Sequence, residues 1–173
     1  MRVAAAQLAP AYLDRDGTIE VVLVAMADAA AQAGGLALAE AGIAPEQIGL
    51  LIDTSVCRAR LEPSAAVSVH HELGLPTSCL NFDLSNACLG FVNGMQMAAM
   101  MIDSGQIEYA LIVDGEGSRY TQEQTLARLA GPETTVDDLF LEFASLTLGS
   151  GGAAMVLGRA SDHATGHRVV GGI

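Results

Sequence analysis

The stretch NFDLSNACLGFVNGMQMAAMMIDSG, residues 81–105, sets a cysteine between a predicted buried strand and a predicted long helix. The strand is predicted over residues 79–84 and the helix over residues 88–104. Within the helix, apolar side chains recur every three or four positions and methionines fill the remaining faces, so we expect the helix to be buried nearly all round. Cys88 would then begin a rigid, enclosed helix.

Strand-like and helix-like segments alternate on either side of this stretch. Further strands are predicted over residues 3–8, 49–53 and 109–114, and a glycine turn at residues 149–152 leads into a last strand that ends at Leu157. Further helices are predicted after Thr18 as a cap, from Pro63 to about Leu73, and within the irregular or helical residues 122–146. This alternation predicts an α/β fold in which helices cover a mixed, mostly parallel sheet.

The composition is that of one domain with an aliphatic core. The 173 residues suffice for one core, and 51% of them are hydrophobic while only 4% are aromatic. The acidic residues, which give a net charge of −12, are spread along the chain, so nucleic acid is not an expected partner. The apolar runs are shorter than the roughly 20 residues that span a bilayer, and the N-terminus has no secretory pattern. We therefore expect no membrane span and a cytoplasmic location.

The position of Cys88 indicates a nucleophile. At a helix N-terminus the backbone dipole and free N–H groups favour the thiolate over the thiol, and the same N–H groups can hold the oxyanion formed when a thioester is attacked. A buried free cysteine can equally be a small packing residue. The pattern alone leaves these two interpretations open.

The other candidate residues are interpreted as structural. Cys57 and Cys79 are predicted to pack, because three cysteines without a CxxC pair do not make a disulfide framework. His70 and His71 are expected on the polar side or at the end of a helix, and not in a dyad with Cys88. No metal site or cofactor is predicted, since no His or Cys pattern has ligand spacing. The glycine turn leads into a strand, so we expect it to permit tight packing instead of binding phosphate.

Four segments taken together resemble one enzyme family. They are LLIDTSVCRARLEPS at residues 50–64, TSCLNFDLSNACLGFVNG at 77–94, YALIVDGEG at 109–117 and LTLGSGGAAMVLGRA at 146–160. Their order and content resemble the 3-oxoacyl-(acyl-carrier-protein) synthase III family, most closely its OleA-type members, which join two fatty acyl chains head to head. The resemblance covers about residues 36–173.

The resemblance implies a thiolase fold of two similar halves, of which this chain would supply the N-terminal one. It implies that Cys88 is acylated by an acyl-CoA or an acyl-carrier-protein thioester, with the OleA-like segment favouring acyl-CoA. Glu62 would reach into the partner subunit's site and help take a proton from the second acyl chain, as a base close to that carbon must. A homodimer, or a complementary chain that supplies a His and an Asn, is then the expected partner. The alternative function is a non-catalytic subunit or remnant that acts in dimerisation or binding.

The N-terminal segment does not follow this pattern. Residues 1–33 resemble the opening strand and helix of the nitrilase superfamily, although the Glu, Lys and Cys that those hydrolases need do not follow. Gly34 and Gly35 interrupt the helical pattern, where each glycine costs about 1 kcal/mol relative to alanine, so they predict a break or a junction. Two parts are therefore predicted, residues 1–35 and residues 36–173.

Overall fold

A five-stranded mixed sheet organises the computed structural model of the chain, which describes residues 3–4, 15–58, 61–163 and 166–170, without the side chains of residues 3–4 and 15–25. Its strands are β1 (Val3–Ala4), β2 (Ile48–Asp53), β3 (Leu80–Asp83), β4 (Tyr109–Glu116) and β5 (Gly151–Gly158). Its α-helices are α1 (Arg15–Ala41), α2 (Ala65–Glu72), α3 (Gly90–Asp103), α4 (Arg119–Leu129), α5 (Val136–Leu141) and α6 (Phe143–Leu146). One-turn 3₁₀ helices cover Pro45–Gln47 and Ala87–Leu89.

The spatial order of the described strands is β1-β5-β4-β2-β3. β2 pairs in parallel with both β3 and β4, and in this register Ile52 lies beside Phe82 on one side and beside Ile112 on the other. β5 runs antiparallel to β4 and to the short β1. The predicted mixed α/β sheet is confirmed, but parallel pairs do not predominate as expected, since the two pairs at β2 are parallel and the two at β5 are antiparallel among the described strands.

Helices cover both faces of this sheet. Alternate side chains of a strand point to opposite faces, so Leu51, Leu111 and Val113 pack with α1 and α2 in one core cluster. Leu50, Ile52, Ala110 and Ile112 pack with Ala98 and Ile102 of α3 in the other. The central strands are buried on both sides, which explains why their sequences are continuously apolar instead of alternating.

The first long helix differs from the prediction in two ways. α1 runs unbroken from Arg15 to Ala41, so the predicted break at Gly34 and Gly35 is wrong. Packing explains Gly34, because a Cβ atom there would lie 3.0 Å from a methyl carbon of Leu73. The predicted cap, Thr18, lies inside the helix.

The helix that follows Cys88 is also less enclosed than predicted. Its buried positions are Gly90, Gly94, Ala98 and Ile102, which form one side. Val92 and Met100 on the other side are more than half exposed. The prediction that this helix is buried nearly all round is therefore wrong, since the described chain covers one side of it.

Candidate active site

Three parallel strands bring acidic residues to one edge of the sheet. Asp53 and Asp83 end β2 and β3 side by side, and Asp114 lies near the end of β4. Because parallel strands end at the same edge, the loops that follow them also meet there. Those loops contain residues 54–58 and the segment from Ser85 to Cys88.

Cys88 lies in the one-turn 3₁₀ helix that precedes α3, and its side chain is exposed. The preceding residue, Ala87, has φ of 43°, in the left-handed region that residues with a Cβ atom seldom occupy. Strained backbone of this kind is found disproportionately at functional sites. The prediction that Cys88 stands at the start of the helix is confirmed, while its interpretation as a buried packing residue does not fit its exposure.

The turn around Cys88 uses part of its own hydrogen-bonding capacity. The Leu89 N–H donates to the Asn86 carbonyl at 3.0 Å, and the Gly90 N–H donates to the Ala87 carbonyl. The Asn86 amide also donates to the Asn93 side chain at 2.6 Å, which joins the turn to α3. The N–H groups of Leu89 and Gly90 are thus engaged within the turn, so the predicted oxyanion contact cannot rest on them in this conformation.

Close packing fixes the start of α3 on the sheet. A Cβ atom at Gly90 would lie 3.2 Å from the Leu84 carbonyl and 3.4 Å from Thr54, and one at Gly94 would lie 3.4 Å from Ile112. These two glycines let the helix backbone lie directly on the end of β2. The Thr54 hydroxyl in turn donates to the Asp114 carboxylate at 2.8 Å. Cys88 is therefore carried by a helix start that has little room to shift.

Three carboxyl groups, those of Asp53, Asp114 and Glu116, form hydrogen bonds with the loop that follows β2. Burial raises the pKa of Asp53 to about 6, although hydrogen bonds from Ser55 oppose the shift. Burial also raises the pKa of Asp114, against the hydrogen bond from Thr54. Glu116 accepts two backbone hydrogen bonds, from Val56 at 2.6 Å and from Cys57 at 3.0 Å, and so holds the loop after β2.

The other two cysteines lie in environments that keep them protonated. Burial, and then the neighbouring Glu116, raise the pKa of Cys57. Burial raises the pKa of Cys79 to about 11. Since the thiolate is the nucleophilic form, neither residue is suited to attack a thioester at neutral pH. This agrees with their predicted roles as packing residues and leaves Cys88 as the exposed thiol.

Glu62 lies in an exposed loop between β2 and α2. Within the described residues no hydrogen bond joins it to Cys88. Its loop is nevertheless tied to the same edge, because Asp83 accepts hydrogen bonds from the backbone N–H groups of Ala65 at 2.9 Å and Ala66 at 2.8 Å. Ser64, the N-cap residue of α2, makes no capping bond with its own side chain.

Arg58 completes this set of contacts, and sequence reasoning missed both it and Asp83. Its guanidinium donates to the Asp83 carboxylate at 3.0 Å and also to the Ser85 hydroxyl. The available signal was an aspartate at a strand end ahead of the cysteine, with an arginine just before the Glu62 segment. Neither residue belongs to a recognised catalytic motif, so no sequence pattern predicted that they would pair.

The histidines have partners other than Cys88 in the hydrogen bonds that the structure describes. His70 and His71 occupy the last turn of α2, as predicted, and the His70 ring donates to the Pro76 carbonyl at 3.1 Å. His163 lies 3.2 Å from the Tyr109 hydroxyl, near the opposite end of β4. No group of three His, Cys, Asp or Glu side chains suited to a metal ion occurs in the part of the chain that the structure describes.

Comparison with known proteins shows which fold and which family this chain resembles. Residues 82–131, which include Cys88, match the family model for 3-oxoacyl-(acyl-carrier-protein) synthase III. An acyl-CoA:acyl-CoA alkyltransferase from Xanthomonas campestris pv. campestris is 48% identical over 150 residues, which are 87% of this chain and 44% of that protein. A crystal structure of a cysteine-to-serine variant of Xanthomonas campestris OleA, with bound lauric acid and lauroyl-CoA, superposes with a TM-score of 0.77 at 48% identity. That superposition covers 85% of this chain and 44% of the other.

A second solved structure draws attention to the glutamate. It is a glutamate-to-aspartate variant of the same Xanthomonas campestris protein bound with cerulenin, and it superposes with a TM-score of 0.73 at 48% identity, over 80% of this chain and 42% of the other. One of these two solved structures has a substituted cysteine, and the other has a substituted glutamate. The sequence separation between that glutamate and that cysteine equals the separation between Glu62 and Cys88 in this chain.

These matches show that the chain has part of a thiolase fold. Its residues 82–131 match the 3-oxoacyl-(acyl-carrier-protein) synthase III family, most of its length is similar to the alkyltransferase, and it spans less than half the length of the relatives named above. The resemblance of residues 1–33 to nitrilases is not supported. Because the alkyltransferase match covers 87% of the chain, it includes residues that precede residue 36. The division at residue 35 stays a prediction.

Among the described residues, no helix combines the length and apolar content that a membrane span requires.

Proposed function

We propose that this chain is the acyl-accepting part of a condensing enzyme and that Cys88 is its nucleophile. The observation that carries the proposal is an exposed thiol on a strained turn, at the start of a helix packed tightly on the sheet. The family and the relative with bound lauroyl-CoA support a fatty acyl-CoA as the donor.

In the first step the Cys88 thiolate attacks the thioester carbonyl carbon of the acyl-CoA. The tetrahedral intermediate collapses, the carbon–sulfur bond to coenzyme A breaks, and the acyl group remains on Cys88 as a thioester. The leaving coenzyme A thiolate takes a proton from the medium. No redox cofactor takes part, because the reaction exchanges one thioester for another.

In the second step we propose that Glu62 helps remove a proton from the carbon beside the carbonyl of a second acyl thioester. The resulting carbanion attacks the acyl carbonyl on Cys88, a carbon–carbon bond forms, and the Cys88 thiolate is expelled. The product is a 3-oxoacyl thioester. The exposure of Glu62, and the same glutamate-to-cysteine spacing in the relatives' substituted residues, support this role.

We propose that the complete reaction takes place in an assembly. Glu62 would serve the site of a partner subunit, and the His and Asn that assist condensation in this family would come from a second half of the fold. The exposed apolar side of α3 is consistent with further protein packing there. A cytoplasmic location fits the proposal, because free thiols persist in a reducing compartment.

Intact-protein mass spectrometry after incubation with a long-chain acyl-CoA tests the nucleophile. We expect one acyl adduct on the wild-type chain, the same adduct on Cys57→Ala, and none on Cys88→Ala. Cys57→Ala is the matched control because its thiol lies at the same edge of the sheet. An adduct that persists in Cys88→Ala would rule out this nucleophile, and so would the lack of any adduct in the complete assembly.

A non-catalytic role in dimerisation or binding is the second candidate. The exposed Val92 and Met100 of α3 favour it, since such a side suits association whether or not Cys88 reacts. The same mass measurement separates the two functions. Association without acylation in the complete assembly would support the binding role.

A further inference from the structure

We infer that Asp83 and Arg58 form a clamp that holds the Glu62 loop, residues 61–64, on the strand that leads to Cys88. This inference deepens the proposed function and rests on it, because it assigns a positioning role to two residues that flank the two proposed catalytic groups. Neither Asp83 nor Arg58 contacts substrate in this account. They act through the backbone segments that they join.

The Asp83 carboxylate binds the chain on both sides of Glu62. On the N-terminal side of the loop it accepts from the Arg58 guanidinium at 3.0 Å. On the C-terminal side it accepts from the backbone N–H groups of Ala65 at 2.9 Å and Ala66 at 2.8 Å. One carboxylate thus joins Arg58 to Ala65 and Ala66, which stand before and after Glu62 in the sequence.

Arg58 extends the clamp towards Cys88. Its second guanidinium nitrogen donates to the Ser85 hydroxyl, three positions before Cys88. Asp83 itself ends β3 and immediately precedes the segment that runs to Cys88. A planar guanidinium with two separate donors suits this bridge, because it can hold a carboxylate and a hydroxyl at the same time in a fixed geometry.

The side chains of Asp83 and Arg58 are largely buried, which strengthens the ion pair between them. The Asp83 side chain is 7% exposed and that of Arg58 is 20% exposed, so water and salt screen the pair less than a surface ion pair. A helix cap alone would account for the bonds from Ala65 and Ala66, since the Ser64 side chain leaves the N-terminus of α2 uncapped. It would not account for Arg58, whose two arms join Asp83 to Ser85.

The contacts that hold Cys88 differ in part from those that hold the Glu62 loop, so the two proposed steps depend on different parts of the structure. Cys88 has further anchors of its own, through Gly90 and Gly94 on the sheet, whereas the described contacts on either side of Glu62 converge on Asp83. Loss of the clamp should therefore displace Glu62 more than Cys88. A displacement of about 1 Å at a catalytic group can lower a rate on the order of 100-fold.

The test measures both steps in the assembly that carries out the condensation. For Arg58→Gln we expect Cys88 acylation to fall less than about threefold, and conversion of the acylated protein to the 3-oxoacyl product to fall about 100-fold. Arg58→Lys should recover part of the second rate, because an ammonium group can still reach Asp83 but has no second arm for Ser85.

A double-mutant cycle with Glu62→Gln distinguishes positioning from a general loss of structure. If the clamp acts through Glu62, Arg58→Gln causes little further loss of product formation when Glu62 is already replaced. Equal losses with and without Glu62 would overturn the inference and leave Arg58 with a structural role only.

A second variant separates the clamp from the helix cap. Asp83→Asn with Ser64→Asp gives α2 a cap of its own, so thermal stability should recover relative to Asp83→Asn alone. Product formation should stay low, because the added carboxylate does not tie Arg58 to β3. Recovery of both properties together would show that Asp83 acts only as a cap.

Hydrogen–deuterium exchange tests the clamp without any activity. In Arg58→Gln, the backbone amides of Leu61, Glu62 and Ser64 should exchange on the order of ten times faster, while those of α3 should be unaffected. Unchanged exchange in the loop would refute the clamp. If the wild-type assembly forms no acyl adduct while the exchange result holds, the proposed function fails and the clamp stands as a structural feature.

Discussion

The two faces of the sheet accommodate their helices in different ways. On the face covered by α1, the closest approaches are at strand glycines, because a Cβ atom at Gly115 or Gly152 would fall 2.2 or 2.5 Å from a carbonyl oxygen of α1, whereas one at Gly34 of α1 would lie 3.3 Å from side chains of β4. On the face covered by α3, the glycines lie in the helix, and the strand residues Thr54 and Ile112 keep their side chains. Small residues allow close approach in both cases, but the helix approaches most closely at strand glycines on one face and at its own glycines on the other.

The two faces also differ in how completely their helices are buried. α1 and α2 together bury one face of the sheet, with alanines such as Ala30 and Ala33 almost fully enclosed. α3 buries the other face with one side only, and its remaining side exposes Val92 and Met100. The first face therefore serves mainly stability, while the second positions Cys88 and leaves apolar surface for further protein.

The largest expected effect is at the α1 face. A methyl group at Gly115 would meet the backbone carbonyl of Met26, which cannot move without shifting α1, so we expect Gly115→Ala to lower the free energy of unfolding by about 3 kcal/mol or more. Gly151→Ala is the control, because nothing lies within 4 Å of the added carbon. Urea unfolding of both variants measures the effect, and equal stabilities would contradict this account of the packing.

The next effect depends on pH and comes from Asp53, which extends from the same face as Leu51. Burial raises the pKa of this carboxyl group from 3.8 to about 6. The folded state therefore binds the proton more tightly than the unfolded state, and this contribution to stability falls as the pH rises from about 4 to about 6. We expect the stability difference between the wild type and Asp53→Asn to change by about 3 kcal/mol across this range, with the wild type losing stability at higher pH.

Denaturant titrations at steps of pH measure this change. Asp138→Asn is the control of opposite sign, since hydrogen bonds from Thr135 lower the pKa of the Asp138 carboxyl group. The stabilisation from that residue should therefore be lost as the pH falls. A wild-type to Asp53→Asn difference that does not vary with pH would show that Asp53 is solvated in the folded protein.

The smallest effect is expected on the outer side of α3. Met100 is 59% exposed, so Met100→Ala should change the free energy of unfolding by no more than about 0.5 kcal/mol while it weakens self-association. The matched truncation Ile102→Ala, on the inner side, should cost about 2 kcal/mol or more. Unfolding curves and sedimentation velocity measure the two properties. Equal costs at both positions would mean that the outer side of α3 is covered in solution.

Much of the fold was predictable because its signals are local. The buried strands β2 and β4 were recognised from continuous apolar runs, and α2 from the Pro63–Ser64 start. The helix after Cys88 was recognised from its three-to-four spacing, but that spacing could not show which sides are covered, because burial depends on what packs there. The continuity of α1 through Gly34 was missed for a similar reason, since contact with Leu73 offsets a propensity that alone disfavours helix.

The candidate site was likewise predictable only in part. The motif around Cys88 predicted a candidate nucleophile and, together with three other segments, a family, because a thiol between a strand and a helix is a local pattern. The clamp of Arg58 and Asp83 had no such signal. These residues lie far apart in sequence, and hydrogen bonds between them require β2 and β3 to be aligned first.

The order of the residues was sufficient to predict the strands, the helix that follows Cys88 and a candidate nucleophile, since each prediction depends on neighbours within a few positions. Only the folded chain decided that Cys88 is exposed, that α3 has one exposed side and that one carboxylate binds residues on both sides of Glu62. Those properties arise where segments distant in sequence come into contact, and the free energy of such contacts is not encoded in any one segment.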